Sequence, residues 1–233
     1  MSRPVLLQRR SVWVPTLWGW LALLFLACAC AFFAGQNAYA FLATTDPVGA
    51  RTLVVEGWLS PEELAQAARV FRNRGYQRVV TTGGPISNEF ERNGAATYAE
   101  RARSWLVRNG IADDAVIAVP APASAQDRSF LSAVMVREWA KRTGQANEPL
   151  DVFSSGVHSR RSRVVYQLAF GERARVGVFA ARPGRPSPET WWRTSTGVKE
   201  VPSEALSWLW TVLFFHPGPP GSHGEMWGVV PES

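Results

Sequence analysis

The sequence predicts an α/β domain with a mainly parallel sheet, preceded by one N-terminal transmembrane helix. Residues 14–35 contain no charged side chain, and an apolar segment of this length can cross a hydrocarbon core of ~30 Å as a helix. Downstream, apolar β-branched runs alternate with helical patterns, which is typical of a parallel α/β sheet. With 233 residues, of which 46% are hydrophobic, the chain has room for one folded domain and an appendage, and a disordered chain is excluded.

The charges around the apolar segment predict its orientation. Arg3, Arg9 and Arg10 precede the segment, and the next basic residue is Arg51. Because basic residues concentrate on the cytoplasmic side of a span, this pattern places a tail over 1–13 in the cytoplasm and the α/β domain in the periplasm or outside the cell. We therefore expect a single-pass protein of the inner (plasma) membrane.

Two alternatives to an uncleaved anchor remain open. The tripeptide over 38–40 is similar to a signal-peptidase site, and the residues before Cys28 are weakly similar to a lipoprotein signal. An uncleaved anchor is favoured because the apolar segment is longer than the core of a usual signal peptide. Cys28 and Cys30 both lie inside the segment, so the exported part has no thiol for disulfides, metal binding or nucleophilic catalysis.

The overall charge is a weak argument for nucleic-acid binding. The formal net charge is +6, but three of the 25 basic residues precede the apolar segment, which leaves 22 basic against 19 acidic residues in the rest of the chain. A surplus of this size is not the electrostatic footprint of a nucleic-acid-binding protein. No nucleic-acid partner is therefore expected.

Alternating strands and helices organise the exported part. The predicted strands cover residues 52–56, 78–81, 115–119, 150–154 and 175–180. The predicted helices run from a Ser60 cap to about Gly75, over 95–109, from Gln126 or Asp127, from just after His158, and over 199–215. The apolar part of the last helix is too short for a second span, so we expect it to dock on the sheet or rest against the membrane. The predicted domain covers 51–216, between a linker over 36–50 and a loosely ordered tail over 217–233.

Polar residues and glycines follow four of the predicted strands at their carboxyl ends. Open parallel sheets bind ligands at this edge, where loops meet helix N-termini. The candidate ligand-binding residues are Gly57, Gly83, Gly84, Asp127, Arg128, Ser154, Ser155 and Arg161, and the candidate catalytic residues are His158 and Glu56. Paired glycines allow backbone N–H groups to approach an anion, although a plain tight turn is the alternative interpretation.

His158 and Arg161 are the strongest of these candidates. They lie one helical turn apart, so both can meet one ligand, and cations at a helix N-terminus imply a counter-anion. Arg160 and Arg163 of the same helix are expected to face solvent. Glu56 ends an apolar strand, where a carboxylate is costly unless it binds a ligand or forms a salt bridge.

Two further motifs have structural interpretations. Asp127 has a helix cap as its alternative role, and the Trp-Trp-Arg sequence over 191–193 is expected to pack the last helix onto the sheet.

Several catalytic chemistries are excluded because the sequence lacks their motifs. The sequence has no His-x-x-x-His spacing, no Walker loop and no Gly-x-Ser-x-Gly. Zinc hydrolases, P-loop proteins and α/β-hydrolases are therefore excluded, no metal site is predicted, and the cofactor stays unassigned.

These motifs resemble the YdcF-like family, a bacterial domain of unknown function shared with the SanA and ElyC envelope proteins. The similar segments lie over 55–58, 82–84, 127–129 and 154–161, and the last is the most specific because His158 and Arg161 fall on the family positions. The Glu-Gly-Trp first turn and Arg128 depart from the family pattern and indicate a subgroup. The resemblance implies a Rossmann-like three-layer sandwich, often membrane-anchored, linked to cell-envelope or peptidoglycan-precursor metabolism.

Two functions are expected on these grounds. The first is an anchored domain outside the cytoplasm that binds an anionic metabolite, phosphorylated or lipid-linked, with hydrolysis or transfer as a further step in which His158 is the general acid or base and Glu56 the second titratable group. The alternative is a non-catalytic module that holds a membrane protein partner through the pocket or the Trp-rich C-terminal face. A cytoplasmic nucleotide-dependent transferase is disfavoured by the predicted topology.

Overall fold

A computed structural model describes residues 13–88, 94–124, 126–182, 184, 187–222 and 225. The chain divides into two units, residues 1–37 and 38–233. The predicted cytoplasmic tail lies outside the described residues except at Trp13, and the predicted tail over 217–233 is described only at 217–222 and 225.

Helix α1 (Leu17–Leu42) carries the apolar segment. It is long and apolar enough to cross a membrane, with a mean hydropathy of 2.2 over its most apolar window. The helix continues beyond residue 36, where a linker was predicted, because its last turn is buried: Tyr39 is 4% and Leu42 is 1% exposed. Within the second unit these two side chains pack with Val157, Trp191 and Val201, so the linker begins only after residue 42.

Five parallel strands form the sheet of the second unit, which confirms the predicted fold class. They are β1 (Thr52–Glu56), β2 (Arg78–Gly83), β3 (Val116–Pro120), β4 (Leu150–Ser155) and β5 (Val176–Ala181), in the order β3-β2-β1-β4-β5. β1 pairs with β2 on one side and β4 on the other. The strand order therefore reverses between β1 and β4, as in Rossmann-like sheets, and a crevice is expected at their carboxyl ends.

Helices cover both faces of this sheet. They are α2 (Pro61–Asn73), α3 (Tyr98–Arg108), α4 (Arg128–Arg142), α5 (Ser159–Phe170) and α6 (Ser195–Leu213). One core lies between the sheet and α2 and α3, where Leu64 and Leu106 are buried. The other lies between the sheet and α4 and α5, where Phe130 and Tyr166 are buried. Burial of each such side chain contributes roughly 1.5–3 kcal/mol to folding.

The helices α2, α3 and α6 each begin directly after a capping residue, and two of these starts differ from the predicted ones. Ser60 and Glu63 form the predicted capping box of α2, whereas α3 starts three residues later than predicted at the Thr97 cap. α6 starts at Ser195 because the Thr194 hydroxyl accepts the N–H of Gly197 at 3.1 Å. Trp191 of the Trp-Trp-Arg sequence is buried beside α6, but it packs with the end of α1 and with Val157 rather than with a strand of the sheet.

A buried carboxylate fixes the chain just before β1. Asp151 of β4 is fully buried and accepts the N–H groups of Val48 at 2.8 Å and Ala50 at 3.0 Å. The hydroxyl of Tyr76 donates to the same carboxylate at 2.7 Å. Three donors to one buried charge make this cluster a firm attachment between the segment after α1 and the sheet.

Two arginines of α5 hold the last turn of α1 and the segment that follows it, although they were expected to face solvent. Arg160 donates to the carbonyl of Phe41 and to the hydroxyl of Thr44. Arg163 pairs with Asp46 at 2.7 Å. The C-terminal tail was expected to be loosely ordered, but the buried carboxylate of Glu225 pairs with the buried guanidinium of Arg137.

Candidate functional site

A cleft of about 520 Å³ lies between the N-terminus of α4, α5 and α6. It opens at the carboxyl edge of the sheet, since α4 and α5 begin there. Its polar lining consists of Asp127, Arg128, Ser129, Arg161, Ser207 and Thr211, and its apolar lining consists of Phe130, Val165, Leu206, Trp210 and Phe215. A site with both charged and extended apolar surface suits a ligand that has both parts.

The cleft brings together three of the predicted site residues. Asp127 and Arg128 open α4, and Arg161 reaches the same cleft from α5. Arg128 is exposed, and no partner for its guanidinium is found in the part of the chain that the structure describes. An unpaired cation beside a helix N-terminus, whose N–H groups also favour negative charge, makes this side of the cleft attractive to an anion.

Asp127 does not cap α4 as the alternative interpretation expected. Its backbone is left-handed, with φ of 47°, and its side chain makes no capping hydrogen bond. A non-glycine residue in this conformation carries strain that often marks a functional position. Burial raises the pKa of the Asp127 carboxyl, although the charge of Arg161 acts in the opposite direction. The carboxyl can therefore exchange a proton closer to neutral pH than an ordinary aspartate.

Arg161 is held by Glu204 of α6, which lies beside the cleft and does not line it. Its Nε donates to Oε2 of Glu204 at 2.9 Å and its Nη2 to Oε1 at 3.1 Å, and Oε1 also lies 3.0 Å from Nδ1 of His158. Burial alone raises the pKa of Glu204, but the hydrogen bonds and charges of His158 and Arg161 outweigh it and lower that pKa to about 2. Glu204 is thus a charged link between α5 and α6.

His158 lies next to the cleft but does not line it. Its Nδ1 faces Glu204, and its Nε2 is buried without a hydrogen-bond partner among the described residues. The ring of Trp58 stands edge-to-face on the imidazole, with 5.2 Å between ring centroids. Trp58 therefore covers His158 at the crevice between β1 and β4 where the topology predicts a ligand.

Glu56 lies inside a buried polar cluster and not in the cleft. It is 4% exposed, and its two oxygens accept the hydroxyl of Ser154 at 2.6 Å and that of Ser162 at 2.8 Å. Both carboxylate oxygens are thus engaged by serines, and the salt bridge that was the alternative interpretation is not formed with any residue that the structure describes. Ser155 donates to Glu63, the capping-box residue of α2, and is likewise engaged within the protein.

Two of the three predicted glycines serve close packing in this structure. A Cβ on Gly57 would overlap the carbonyls of Tyr98 and Thr82, and the Gly57 N–H donates to Thr82 at 2.7 Å. Gly83 has φ of +147°, and a Cβ there would lie 2.8 Å from the Cβ of Tyr98. The carbonyl of Gly84 accepts the N–H of Tyr98 at 3.0 Å. Gly57 and Gly83 therefore let α3 approach the ends of β1 and β2, whereas a Cβ on Gly84 would make only ordinary contacts. None of the three glycines lines the cleft.

Sequence reasoning missed the contribution of α6 to the site. The last helix was expected to dock on the sheet or rest against the membrane, and Trp210 was expected only as part of a Trp-rich face for a protein partner, not as lining of this cleft. An adjoining cavity of about 430 Å³ is lined by Asp127 and by the exposed His216. The α6 residues of the cleft lie more than 40 positions from Arg161 in the chain, so no local spacing signals their meeting. The one available signal is the run of large apolar residues over 205–215.

Comparison with known proteins identifies no family for this chain. No protein-family model, curated protein or solved structure matches the chain. The resemblance to the YdcF-like family therefore stays a hypothesis that depends on the motifs alone. Among the residues described here, no group of three or more His, Cys, Asp or Glu side chains is placed to hold a metal ion.

Proposed function

We propose that this chain is a membrane-anchored protein that binds an anionic amphiphile, of the class of lipid-linked phosphates used in cell-envelope biogenesis. The observation that carries the proposal is the composition of the cleft, in which the guanidinium of Arg128 shares one cavity with the side chains of Leu206 and Trp210. A soluble anion needs only the charged part of this cleft, and a neutral lipid needs only the apolar part. A lipid phosphate uses both.

The charges of the residues around the proposed phosphate position support the proposal. Arg128 contributes a full positive charge, the N-terminus of α4 contributes N–H donors, and Arg161 contributes the part of its charge that Glu204 does not offset. Asp127 opposes binding when it is ionised. Because its pKa is already raised, it takes up a proton at low cost when the phosphate binds.

Asp127 is also the residue in this cleft that is best placed to move a proton in a hydrolysis or transfer step. His158 and Glu56 were the expected acid and base, but neither lines the cleft. His158 acts on the site through Glu204 and Arg161, and is therefore a positioning residue in this proposal. The resemblance to the YdcF-like family supports a role in envelope or peptidoglycan metabolism on sequence grounds only.

The proposed ligand class is tested by adding three compounds, one at a time, to the full chain in detergent micelles. Farnesyl phosphate carries both features, farnesol lacks the anion, and inorganic phosphate lacks the apolar tail. A ligand that binds the folded state raises the melting temperature, so farnesyl phosphate is expected to raise it more than either other probe at equal concentration. An equal rise with farnesol would show that the anion is not recognised and would overturn the proposal.

We further propose that the domain lies outside the cytoplasm, because three arginines precede the span and none follows it until Arg51. A pair of reporters fused after Ser233 tests this orientation. Alkaline phosphatase is expected to be active and green fluorescent protein dark when the fusions are exported in bacteria. The reverse pattern would place the domain in the cytoplasm.

A further inference from the structure

The turns that lead into four neighbouring strands form one edge of the sheet, opposite the carboxyl edge at which the cleft opens. Because β2, β1, β4 and β5 are adjacent and parallel, all four begin at this edge. The turns and first strand residues concerned cover 49–51, 74–78, 143–149 and 171–175. Below we call this surface the amino edge.

The amino edge holds the positive charge that the chain has in surplus. Its basic side chains are those of Arg51, Arg74, Arg78, Arg173 and Arg175. The acids in the same segments are Glu148 and Glu172. After the apolar segment the chain has 22 basic against 19 acidic residues, a surplus of three, and the amino edge alone has a surplus of the same size. A small excess of charge in the sequence is therefore concentrated on one surface of the fold.

The arginines of the amino edge form no ion pair with any residue that the structure describes. Four of the five are exposed, and the half-buried Arg78 donates to the side-chain oxygen of Gln145. A cation at a helix C-terminus complements the helix dipole, which accounts for Arg74 at the end of α2. The other four begin or precede strands, where no helix dipole favours a positive charge. Their charge is available to a ligand.

The register of the sheet sets three of these arginines in a row. Arg78 of β2 is the ladder partner of Thr52, the residue after Arg51. Arg175 precedes β5, which lies two strands away from β1 on the other side of β4. Neighbouring strands are about 4.8 Å apart, so the row from β2 to β5 is about 15 Å long. A row of cations of this length suits a linear ligand with repeated negative charges better than one small anion.

The side chains of the amino edge favour phosphate groups in that ligand. A guanidinium offers a fork of N–H donors to the two free oxygens of a phosphodiester. The one aromatic residue of these segments, Tyr76, is buried, so no ring is exposed on which a nucleic-acid base could stack. The segments also expose no large apolar side chain that could enter a lipid layer. The surface therefore suits a hydrophilic chain of phosphates without bases or acyl tails.

We infer that the amino edge binds a linear phosphodiester polymer through Arg51, Arg78, Arg173 and Arg175. This binding does not depend on the proposed lipid phosphate, whose cleft contains Arg128 and opens at the carboxyl edge. If the proposed function also holds, the polymer and the lipid phosphate bind at opposite edges of one sheet.

The inference is tested on the full chain in micelles of a nonionic detergent. The probe is a labelled abasic oligodeoxyribose phosphate, and fluorescence anisotropy gives its affinity at several salt concentrations. Arg51→Gln combined with Arg175→Gln is expected to weaken binding about tenfold and to reduce the slope of log affinity against log salt by about 1.4. Arg182→Gln combined with Arg193→Gln is the matched control, because both arginines are exposed and lie outside the amino edge. This control pair is expected to leave the affinity unchanged.

A second pair of variants separates geometry from charge. Arg51→Lys combined with Arg175→Lys keeps both charges but loses the guanidinium fork, so its affinity is expected to lie between those of the unaltered chain and the glutamine pair. Thermal melting verifies that each variant is folded. Arg128→Gln is expected to leave binding of the oligomer unchanged, so failure of this inference and failure of the proposed lipid phosphate are distinguished.

Three results would overturn the inference. Equal weakening by the glutamine pair and the control pair would show that the oligomer responds only to total charge. A thymidine oligonucleotide of the same length that binds more than about tenfold tighter than the abasic oligomer would favour a nucleic acid. No binding of the oligomer, with a rise in melting temperature on addition of phosphatidylglycerol that the glutamine pair abolishes, would favour an anionic lipid surface.

Discussion

Arg161 and Glu204 form a two-point ion pair between α5 and α6, with nitrogen–oxygen distances of 2.9 and 3.1 Å. Nδ1 of His158 lies 3.0 Å from Oε1 of the same carboxylate, so Glu204 of α6 contacts both His158 and Arg161. The pair stands beside the cleft and sets the position of the helix that supplies its apolar lining. Its charge state therefore links the stability of the domain to the geometry of the site.

This pair predicts a loss of stability in acid. The folded protein lowers the pKa of Glu204 from 4.5 to about 2, against the effect of burial, because His158 and Arg161 favour the charged form. A lowered carboxyl pKa stabilises the fold above pH 4.5, and this stabilisation, on the order of 3 kcal/mol at most, is lost as the pH falls from about 4.5 towards 2. We expect Glu204→Gln to melt at lower temperature at pH 7 and to lose less further stability between pH 5 and 3.

Glu200→Gln on the same helix is the control for this prediction. Burial and the neighbouring charges of Glu204 and Glu63 raise the pKa of Glu200, so its charge disfavours the fold above its folded pKa. Its replacement is expected to leave the acid loss in place and to raise the melting temperature at pH 7. If Glu204→Gln kept the same pH dependence as the unaltered chain, the ion pair would not contribute to stability.

Asp127→Asn is expected to stabilise the protein at neutral pH. Burial raises the pKa of the Asp127 carboxyl, so the charged form costs free energy in the folded state. This cost is fully present above the folded pKa, declines as the pH falls and is absent below the ordinary value of 3.8. Asn also adopts the left-handed backbone at φ of 47° readily. The melting temperature of Asp127→Asn should exceed that of the unaltered chain at pH 7, and the difference should shrink as the pH falls to 3. A difference that is constant with pH would show that the gain comes from the backbone alone.

Gly57→Ala is expected to destabilise the domain by roughly 1–3 kcal/mol, because the added methyl group overlaps the carbonyls of Tyr98 and Thr82. Gly184→Ala is the matched control, since a Cβ there meets no atom within 4 Å. Thermal melting in detergent measures both variants. Equal melting temperatures for the two would contradict the close approach of α3 to the end of β1.

Tyr76→Phe, with Tyr166→Phe as its control, tests how much the hydrogen bond from Tyr76 to Asp151 stabilises the fold. The Tyr76 hydroxyl donates to buried Asp151 at 2.7 Å, and its removal is expected to cost roughly 1.5–3 kcal/mol, as for a hydrogen bond to a charge. The buried Tyr166 hydroxyl has no hydrogen-bond partner among the described residues, so its removal is expected to be neutral or stabilising. Denaturant titrations of both variants provide the comparison, and an equal loss in both would show that Asp151 gains nothing from Tyr76.

The sheet was predictable because each strand is a short β-branched run between polar turns. All five predicted strands are present. β1 has the predicted bounds, and the other four differ by one or two residues at one or both ends, because the pattern of apolar residues does not mark where the last ladder hydrogen bond forms. The capping box at Ser60 was equally predictable from the sequence. The end of α1 was not, because its continuation to Leu42 depends on burial of Tyr39 against residues more than 100 positions away.

The candidate site was predictable only in part. Asp127, Arg128 and Arg161 do meet, as their positions at the carboxyl ends of strands indicated. The cost of an isolated carboxylate at Glu56 was also recognised, but its serine partners were not, because hydroxyls carry no charge signal in a sequence. The ion pair of Glu204 with Arg161 and the place of Trp210 in the cleft were not predicted, because the packing of α6 across α5 is a tertiary event with no local sequence pattern.

The dissociation constant of farnesyl phosphate tests the central claim most directly. It is measured by titration calorimetry on the full chain in micelles, for the unaltered protein, Arg128→Gln and Arg142→Gln. Arg142 is exposed at the other end of α4 and lies outside the cleft, so it matches Arg128 in charge and helix but not in position. The account predicts that Arg128→Gln weakens binding by about tenfold or more, whereas Arg142→Gln leaves it unchanged. Equal affinities for all three proteins would contradict the account and place the anion, if it binds, elsewhere.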